Sequence, residues 1–418
     1  MVLLKISYFP ELVLDDKVNY ILRINEENIM KKNLPILLAS MLVNMGIGLI
    51  MPITTLFLHN RLHQTLVTAG YVLMGFSLAM VLGNLLGGWL FDHWKVKPTH
   101  YLGGLLVWLN LTLLIIFPIW PLYTILVIGY GFGLGILNSA VNGYIAAHQK
   151  KSPNLFTNAY WLANLGMGLA TFLSGILYAL NIRWVFSVAL FIFIVTLLVV
   201  KIFFHEISHS TVAIRTTTSW KSKLQLPSGL WFVCLLLVVI WIGYEQWNSN
   251  VSVYMLQQGI SVQKYSLLFT ISTFEIVIFQ PLLNLFFRPT FTNEKYRIIG
   301  GTLLFGASYL SLINASHYSQ FLLGITLLSF GDMLTLTTTP AMINRFATDQ
   351  NRATIQALGG TAGSLGRALG PLLGGIMIQY WHYQITFIVL FAVHIGFCLF
   401  GNWLLHPERS LKKANDSD

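Results

Sequence analysis

The stretch NLGMGLATFLSGILY, residues 164–178, returns 200 residues later as SLGRALGPLLGGIMI, residues 364–378. Six of the fifteen positions are identical, including two glycines. Each copy lies inside an apolar run long enough to cross a bilayer as a helix, which takes about 20 residues. Self-similarity at a fixed offset marks a duplicated architecture. Working outward from the two copies, twelve such runs are legible: 34–58, 66–91, 101–118, 122–147, 157–179, 183–204, 229–256, 265–287, 297–314, 320–343, 353–379 and 383–405. The repeated stretch falls in the fifth run of each set of six. Between the sets lies the polar segment HEISHSTVAIRTTTSWKSKLQLPS, 205–228.

The expected fold is therefore all-α and integral to a membrane, with twelve helices in two homologous six-helix bundles. The bundles would be 34–204 and 229–407, joined by a linker at 205–228 and followed by a tail at 408–418. Composition agrees. Charged residues make up 10% of the 418 and hydrophobic residues 55%, against about 25% charged in soluble domains. A net charge of +10 would point to nucleic acid in a soluble chain, but here topology accounts for it. With the N-terminus inside, 21 of the 25 Lys and Arg fall on the cytoplasmic side, three (Arg61, Arg183, Lys264) outside, and Arg367 within a run. That bias places both termini in the cytoplasm, with the plasma membrane of a bacterium as the expected location. No nucleic-acid partner is expected.

Residues 1–33 differ from the rest, being mixed in charge and too short in apolar run for a span or a signal peptide. Residues 1–29 read as a disordered extension or a misplaced start, with Met30-Lys31-Lys32 a natural beginning. Cys234 and Cys398 both lie in apolar runs and read as packing residues. No metal site and no cofactor is expected.

Two motifs carry family character. GGWLFDHWKVKP, 87–98, resembles the loop signature of the major facilitator superfamily, roughly G-x-L-x-D-R-x-G-R-K. Gly88, Leu90, Asp92 and Lys97 match, whereas His93, Lys95 and Val96 depart from it. In that family the acid meets the amino end of the eleventh span and locks the cytoplasmic gate, a contact a helix dipole favours. Gly366, Gly370, Pro371, Gly374 and Gly375 resemble the G-x-x-x-G-P-x-x-G-G motif of the family's antiporters. Here it is clean in the eleventh span and degraded in the fifth, where Ala170-Thr171 replace Gly-Pro. Small residues four apart permit close helix approach, and proline permits a bend. GYGFGLG, 129–135, fails the nucleotide-binding spacing and has no preceding strand. Its glycines instead form two small-residue faces, Gly129/Gly133 and Gly131/Gly135. The glycines between Gly301 and Gly306 lack a P-loop lysine, so ATP-driven transport is not expected.

Four charges lie deep in spans: Glu245, Glu275, Asp332 and Arg367, all in the second half. Each costs about 2.5–3.5 kcal/mol at a helix centre on insertion scales, and such groups usually face a bundle interior or aqueous path. Low dielectric disfavours the charged carboxylate, so these acids can take up and release protons. Arg367 is expected to pair with one acid, Glu275 first, by analogy with superfamily geometry. Gly331-Asp332 and the following MINRFATDQNRATIQALGG are similar to the tenth-span acid motif and loop of bacterial multidrug efflux proteins, the drug:proton antiporter-1 family. Gln246 with Tyr254, and Gln280-Pro281, are also similar to that family, although Ser252 stands where it has proline. The resemblance runs from about residue 34 to 405.

It implies two bundles rocking about a central site lined by spans one, four, seven and ten, moving a small molecule against protons. Asn44, Trp161, Trp241, Tyr244, Gln246 and Trp247 are the candidate cavity residues, suited to flat lipophilic or cationic guests. The threonines after Asp332 are a candidate wet lining, and His394 reads as structural. Proton-coupled efflux of lipophilic compounds is the expected function, carried out by a monomer among membrane lipids. The alternatives are a sugar or nutrient symporter or facilitator, a flippase for a lipid-linked glycan, and, from another class, a membrane-embedded enzyme. The last would need a catalytic cluster that the sequence lacks.

Overall fold

The computed structural model describes residues 16–148, 155–206, 227–286, 290–347 and 352–405. Among these every regular element is helical: α1 (Asp16–Leu56), α2 (Leu66–His93), α3 (Val96–Ile116), α4 (Leu122–His148), α5 (Leu155–Leu180), α6 (Ile182–Phe203), α7 (Ser228–Asn248), α8 (Asn250–Gln257), α9 (Val262–Phe286), α10 (Phe291–Leu310), α11 (Tyr318–Thr335), α12 (Thr339–Arg345) and α13 (Arg352–Leu404). A π-helical turn, Phe57–Arg61, follows α1.

Ten helical stretches among the described residues are long and apolar enough to span a bilayer. One of them holds two of the expected spans, because α13 reverses at His382, whose φ of 62° breaks the helix without a loop. The twelfth is α10, less apolar because Glu294, Lys295 and Arg297 stand in its first two turns. Span seven is divided into α7 and α8 at Ser249, and span ten into α11 and α12 around 336–338. Helix starts are capped where the chain enters the bundle. Thr65 accepts from the Thr68 amide, Asn181 from the Arg183 amide, and Gln320 Oε1 accepts from the Ser316 and His317 amides, satisfying donors that a helix end leaves open.

Within the extension expected to be disordered, residues 16–29 are helical: α1 begins at Asp16 and continues through Pro35. Residues 1–15, most of the linker (207–226) and the tail 408–418 lie outside the described residues.

Contacts repeat between the halves. α1 packs on α5, and α7 on the first part of α13; across the halves α5 meets α9 and α2 meets α13. The repeated stretch makes both kinds of contact. A Cβ on Gly166 would stand 2.8 Å from the carbonyl oxygen of Met41 in α1, and one on its counterpart Gly366 would stand 2.5 Å from that of Val238 in α7. Gly175 faces Val262 and Ser266 of α9, while Gly375 lies against Leu66 and Val67 of α2. The 200-residue offset thus joins positions with the same packing partners. The two faces of α4 also separate as read: Gly131 and Gly135 abut α2, and Gly129 and Gly133 abut α3.

Candidate functional site

A cavity of about 620 Å³ lies between the halves, within the size range of small-molecule sites. Its wall comes from α1, α2 and α5 on one side and α7, α9, α11, α12 and α13 on the other. Span four, expected in the wall, supplies no residue among those described, because its glycine faces hold it behind α2 and α3. The cavity extends toward the end where α2, α4 and α12 finish, through Asn84, Ile343 and Gln356. The opposite end is closed. There a Cβ on Gly70 would lie 2.5 Å from Leu372 Cα, and Gly375 is pressed to Leu66.

Three of the four intramembrane charges converge on this space: Glu245 from α7, Asp332 from α11 and Arg367 from α13. Two sit where their spans are interrupted. At Ser249 the chain leaves helical geometry, and its hydroxyl donates to the Glu245 carbonyl at 2.5 Å, while Asn248 Nδ2 donates to Glu245 Oε2 at 3.3 Å. Beyond Asp332, the threonines turn inward on the backbone. Thr337 and Thr339 donate to the carbonyls of Met333 and Thr335 at 2.6 and 2.7 Å. Only Thr339 among them reaches the cavity wall, so the run is chiefly a helix break, as back-bonding hydroxyls favour, and not a wet lining.

Asp332 makes no hydrogen bond or ion pair among the described residues. Arg367 stacks on Trp241, its Cζ 3.9 Å from the ring centroid, and lies within electrostatic reach of Glu245. Its expected pairing with Glu275 is not formed. Glu275 stands outside the cavity wall, in the α9–α11 seam, where its Oε1 accepts from Thr326 at 2.7 Å. It turns away because the opposite flank of α9, through Ser272, Thr273 and Ile276, faces the cavity.

Of the candidate lining residues, Asn44, Trp241 and Tyr244 face the cavity. Three do not. Gln246 is buried, donating to the Ile242 and Gly370 carbonyls at 2.8 and 2.7 Å and accepting from Asn250 at 2.7 Å. It clamps α7 to the glycine motif of α13, where Gly374 leaves room for its Oε1. Trp247 is fully buried and packs on Gly324. Trp161 is exposed and stands outside the cavity wall. Sequence reading missed Tyr160, Asn84, Asn164 and Asn248, all in the wall. Their signal was present: amides and a phenol inside otherwise apolar spans.

The gate contact expected of the motif at 87–98 is not seen among the described residues, and part of its expected partner, the start of the eleventh span, lies outside them. Gly88 faces Ser139 of α4, and Asp92 is exposed and makes no contact of the expected kind among the described residues. Lys97 instead donates to the Lys201 carbonyl at the end of α6, at 2.9 Å. Glu206 takes the amide of Val96 at 2.8 Å, capping α3. The second half repeats this pattern, because Lys295 at the start of α10 donates to the Asn402 carbonyl near the end of α13, also at 2.9 Å. Beside it Glu294 and Arg345 form a two-pronged ion pair at 2.6 and 2.9 Å. His394 is fully buried, its Nδ1 2.7 Å from the Leu390 carbonyl. No group of metal-ligating side chains occurs among the described residues.

The comparisons agree with this architecture. A family model described as Major Facilitator Superfamily matches residues 36–291 and 247–418. An uncharacterized MFS-type transporter of Bacillus subtilis (strain 168), YttB, is 28% identical over 400 residues, covering 93% of this chain and 98% of that protein. In fold, the chain resembles the peptide transporter POT in complex with sulfate, at TM-score 0.75 and 13% identity, covering 91% of this chain and 95% of the other. It also resembles the nucleoside transporter NupG, at TM-score 0.73 and 12% identity, covering 89% and 99%. The chain belongs to the Major Facilitator Superfamily and is a multi-pass membrane transporter, not an enzyme.

Proposed function

We propose that the protein exports lipophilic compounds in exchange for protons by alternating access, with Asp332 as the principal proton carrier. The observation that carries this is a carboxylate in the wall of the central cavity with no bonded partner among the described residues. In hydrocarbon such a group is costly unless it serves an ion path. Glu245, hydrogen bonded to Asn248 and close to Arg367, is the second proton-coupling residue. Glu275, tied to Thr326, is the most remote of the three. Coupling follows if protonation changes the balance between states open to opposite sides, since a ligand shifts an equilibrium only by its differential affinity.

The positive-inside count assigns the open end of the cavity to the cytoplasm. The conformation is then inward-open, which accounts for the lack of a gate contact at Asp92 among the described residues. Lipophilic guests fit the wall, where Phe76, Met51, Met80, Met167 and Phe269 alternate with amides. The cavity wall comes from this one chain, and the proposed working unit is the monomer.

The test is flux in proteoliposomes with and without an imposed pH gradient. Wild type is expected to accelerate several-fold with the gradient, and Asp332→Asn to lose that acceleration. Flux indifferent to the gradient, and unchanged in Asp332→Asn, would sink the proposal.

A further inference from the structure

Among the described residues Arg367 has no hydrogen-bonded or ion-paired partner of the kind a purely structural arginine needs. Its guanidinium lies flat on Trp241 and its surface is open to the cavity. It makes no hydrogen bond or ion pair among the described residues. Glu245 is near enough to be felt but is not bonded to it. A guanidinium carries five N–H donors in a rigid fork that matches a carboxylate, and stacking on an aromatic face fixes the plane of that fork. Exposed in the cavity wall and stacked on Trp241, with its fork unbonded among the described residues, the guanidinium is placed to take an anionic group of a guest.

Asp332 shares the same space. Tyr160 and Tyr244 each lie within electrostatic reach of both Asp332 and Arg367. The acid and the base line the same cavity, yet they form no ion pair with one another. The facing wall from α1, α2 and α5 carries no charge: its polar groups are amides, hydroxyls and the Tyr160 phenol, set among Phe76 and methionines. One side of the cavity thus presents two carboxylates, Glu245 and Asp332, with one guanidinium, Arg367, and the other an uncharged, partly aromatic surface.

We propose that Arg367, held on Trp241, is an anion-accepting site, and that the cavity takes amphoteric, partly aromatic molecules whose amine meets Asp332 and whose carboxylate meets Arg367. This rests on the reading of the cavity as the transport site, and it narrows the cargo from lipophilic compounds in general to zwitterionic ones.

A matched set of probes separates the two ends of the molecule: naphthylalanine, naphthylethylamine and naphthylpropionic acid. Equilibrium binding to the purified full chain is measured by calorimetry without any proton gradient. Naphthylalanine is expected to bind at least about tenfold more tightly than either single-charge analogue, a difference of about 1.4 kcal/mol. Arg367→Lys, which keeps the charge and loses the fork, is expected to weaken naphthylalanine and naphthylpropionic acid about tenfold and leave naphthylethylamine unchanged. Asp332→Asn is expected to do the reverse. Should Arg367→Lys fail to fold, Trp241→Leu removes the platform and carries the same prediction. The proposal is overturned if the amine binds as well as the amino acid, if the Arg367 or Trp241 variant weakens all three probes alike, or if wild type binds none of them. Flux that ignores a pH gradient, with this binding pattern intact, would count against proton coupling alone.

Discussion

Gln246 shows how much of this membrane interior is settled by single amides. Its Nε2 joins two carbonyls, one in its own helix and one, Gly370, in α13, while its Oε1 takes the Asn250 amide across the α7–α8 break. Gln246→Leu would leave the Gly370 carbonyl and the Asn250 amide without that partner in a buried place, where each unmet group costs about 1–3 kcal/mol. A lower melting temperature in detergent is expected. Asn44→Ala is the control. That amide faces the cavity and, among the described residues, bonds to the Ser40 carbonyl of its own helix, so its loss is expected to change stability by no more than about 0.5 kcal/mol. Equal destabilisation by the two would refute the clamp. Sequence alone could place both residues in spans but could not separate them, because one amide looks like another until the helix face is known. The same limit explains Trp247 and Trp161. The intramembrane acids were legible as a set because charge is rare in hydrocarbon, yet the partner of Arg367 depended on rotations about α9 and α13 that no spacing in the sequence encodes.

Among the elements, α13 carries opposite demands along one face. Gly374 lies against Gln246 Oε1 and Asn250 Nδ2, the latter 2.6 Å from where a Cβ would stand, whereas a Cβ on Gly360 would meet nothing within 4 Å. Gly374→Ala is therefore expected to destabilise, because the atoms it meets are locked by hydrogen bonds. Gly360→Ala is expected to be neutral or to stabilise by up to about 1 kcal/mol, the helix-propensity difference. Thermal melting of the two variants checks both signs, and a stable Gly374→Ala would mean the clamp is looser than its geometry. The helices themselves were readable from apolar run length, and the pairing of the halves from one repeat, since duplicated packing surfaces keep their small residues. The breaks at Ser249 and near Leu336 were not readable. Each lies inside a longer apolar run, and the polar stretches that end the helices there, QWNSN (246–250) and TLTTTP (335–340), were read as parts of continuous spans. The paired lysines, Lys97 and Lys295, also escaped notice, because each reaches a carbonyl at the end of a helix about 100 residues away, and backbone acceptors leave no trace in a sequence.

At the scale of the molecule, the two ends of the bundle are unequal, and the inequality is built from contacts between halves. α2 meets α13, and α5 meets α9, through glycines that allow close approach: Gly70 to the Leu372 backbone, Gly375 to the Leu66 backbone, and Gly175 to the Ser266 side chain and the Val262 carbonyl. These lie at the end where α2 begins and α5 finishes. At the other end Asn84, Ile343 and Gln356 border open space. Opening the closed end must therefore part surfaces that tolerate no added atom, and a side chain forced between them should drive the molecule toward its other state. Gly375→Leu would set its branch on the backbone of Leu66 and Val67, where even a Cβ stands 2.7 Å from the Leu66 oxygen. Placed in a background with Cys234 and Cys398 replaced and Gln356→Cys as reporter, it gives a direct readout. Without the added leucine, a bulky membrane-impermeant thiol reagent supplied from the cytoplasmic side should label the reporter quickly, because Gln356 lines the open vestibule. With it, labelling should slow several-fold as the population shifts toward the state open to the other side. Labelling from the opposite side alone would reverse the assigned orientation. An unchanged rate, in protein that remains folded and monodisperse, would mean that the α2–α13 contact does not hold the far end shut.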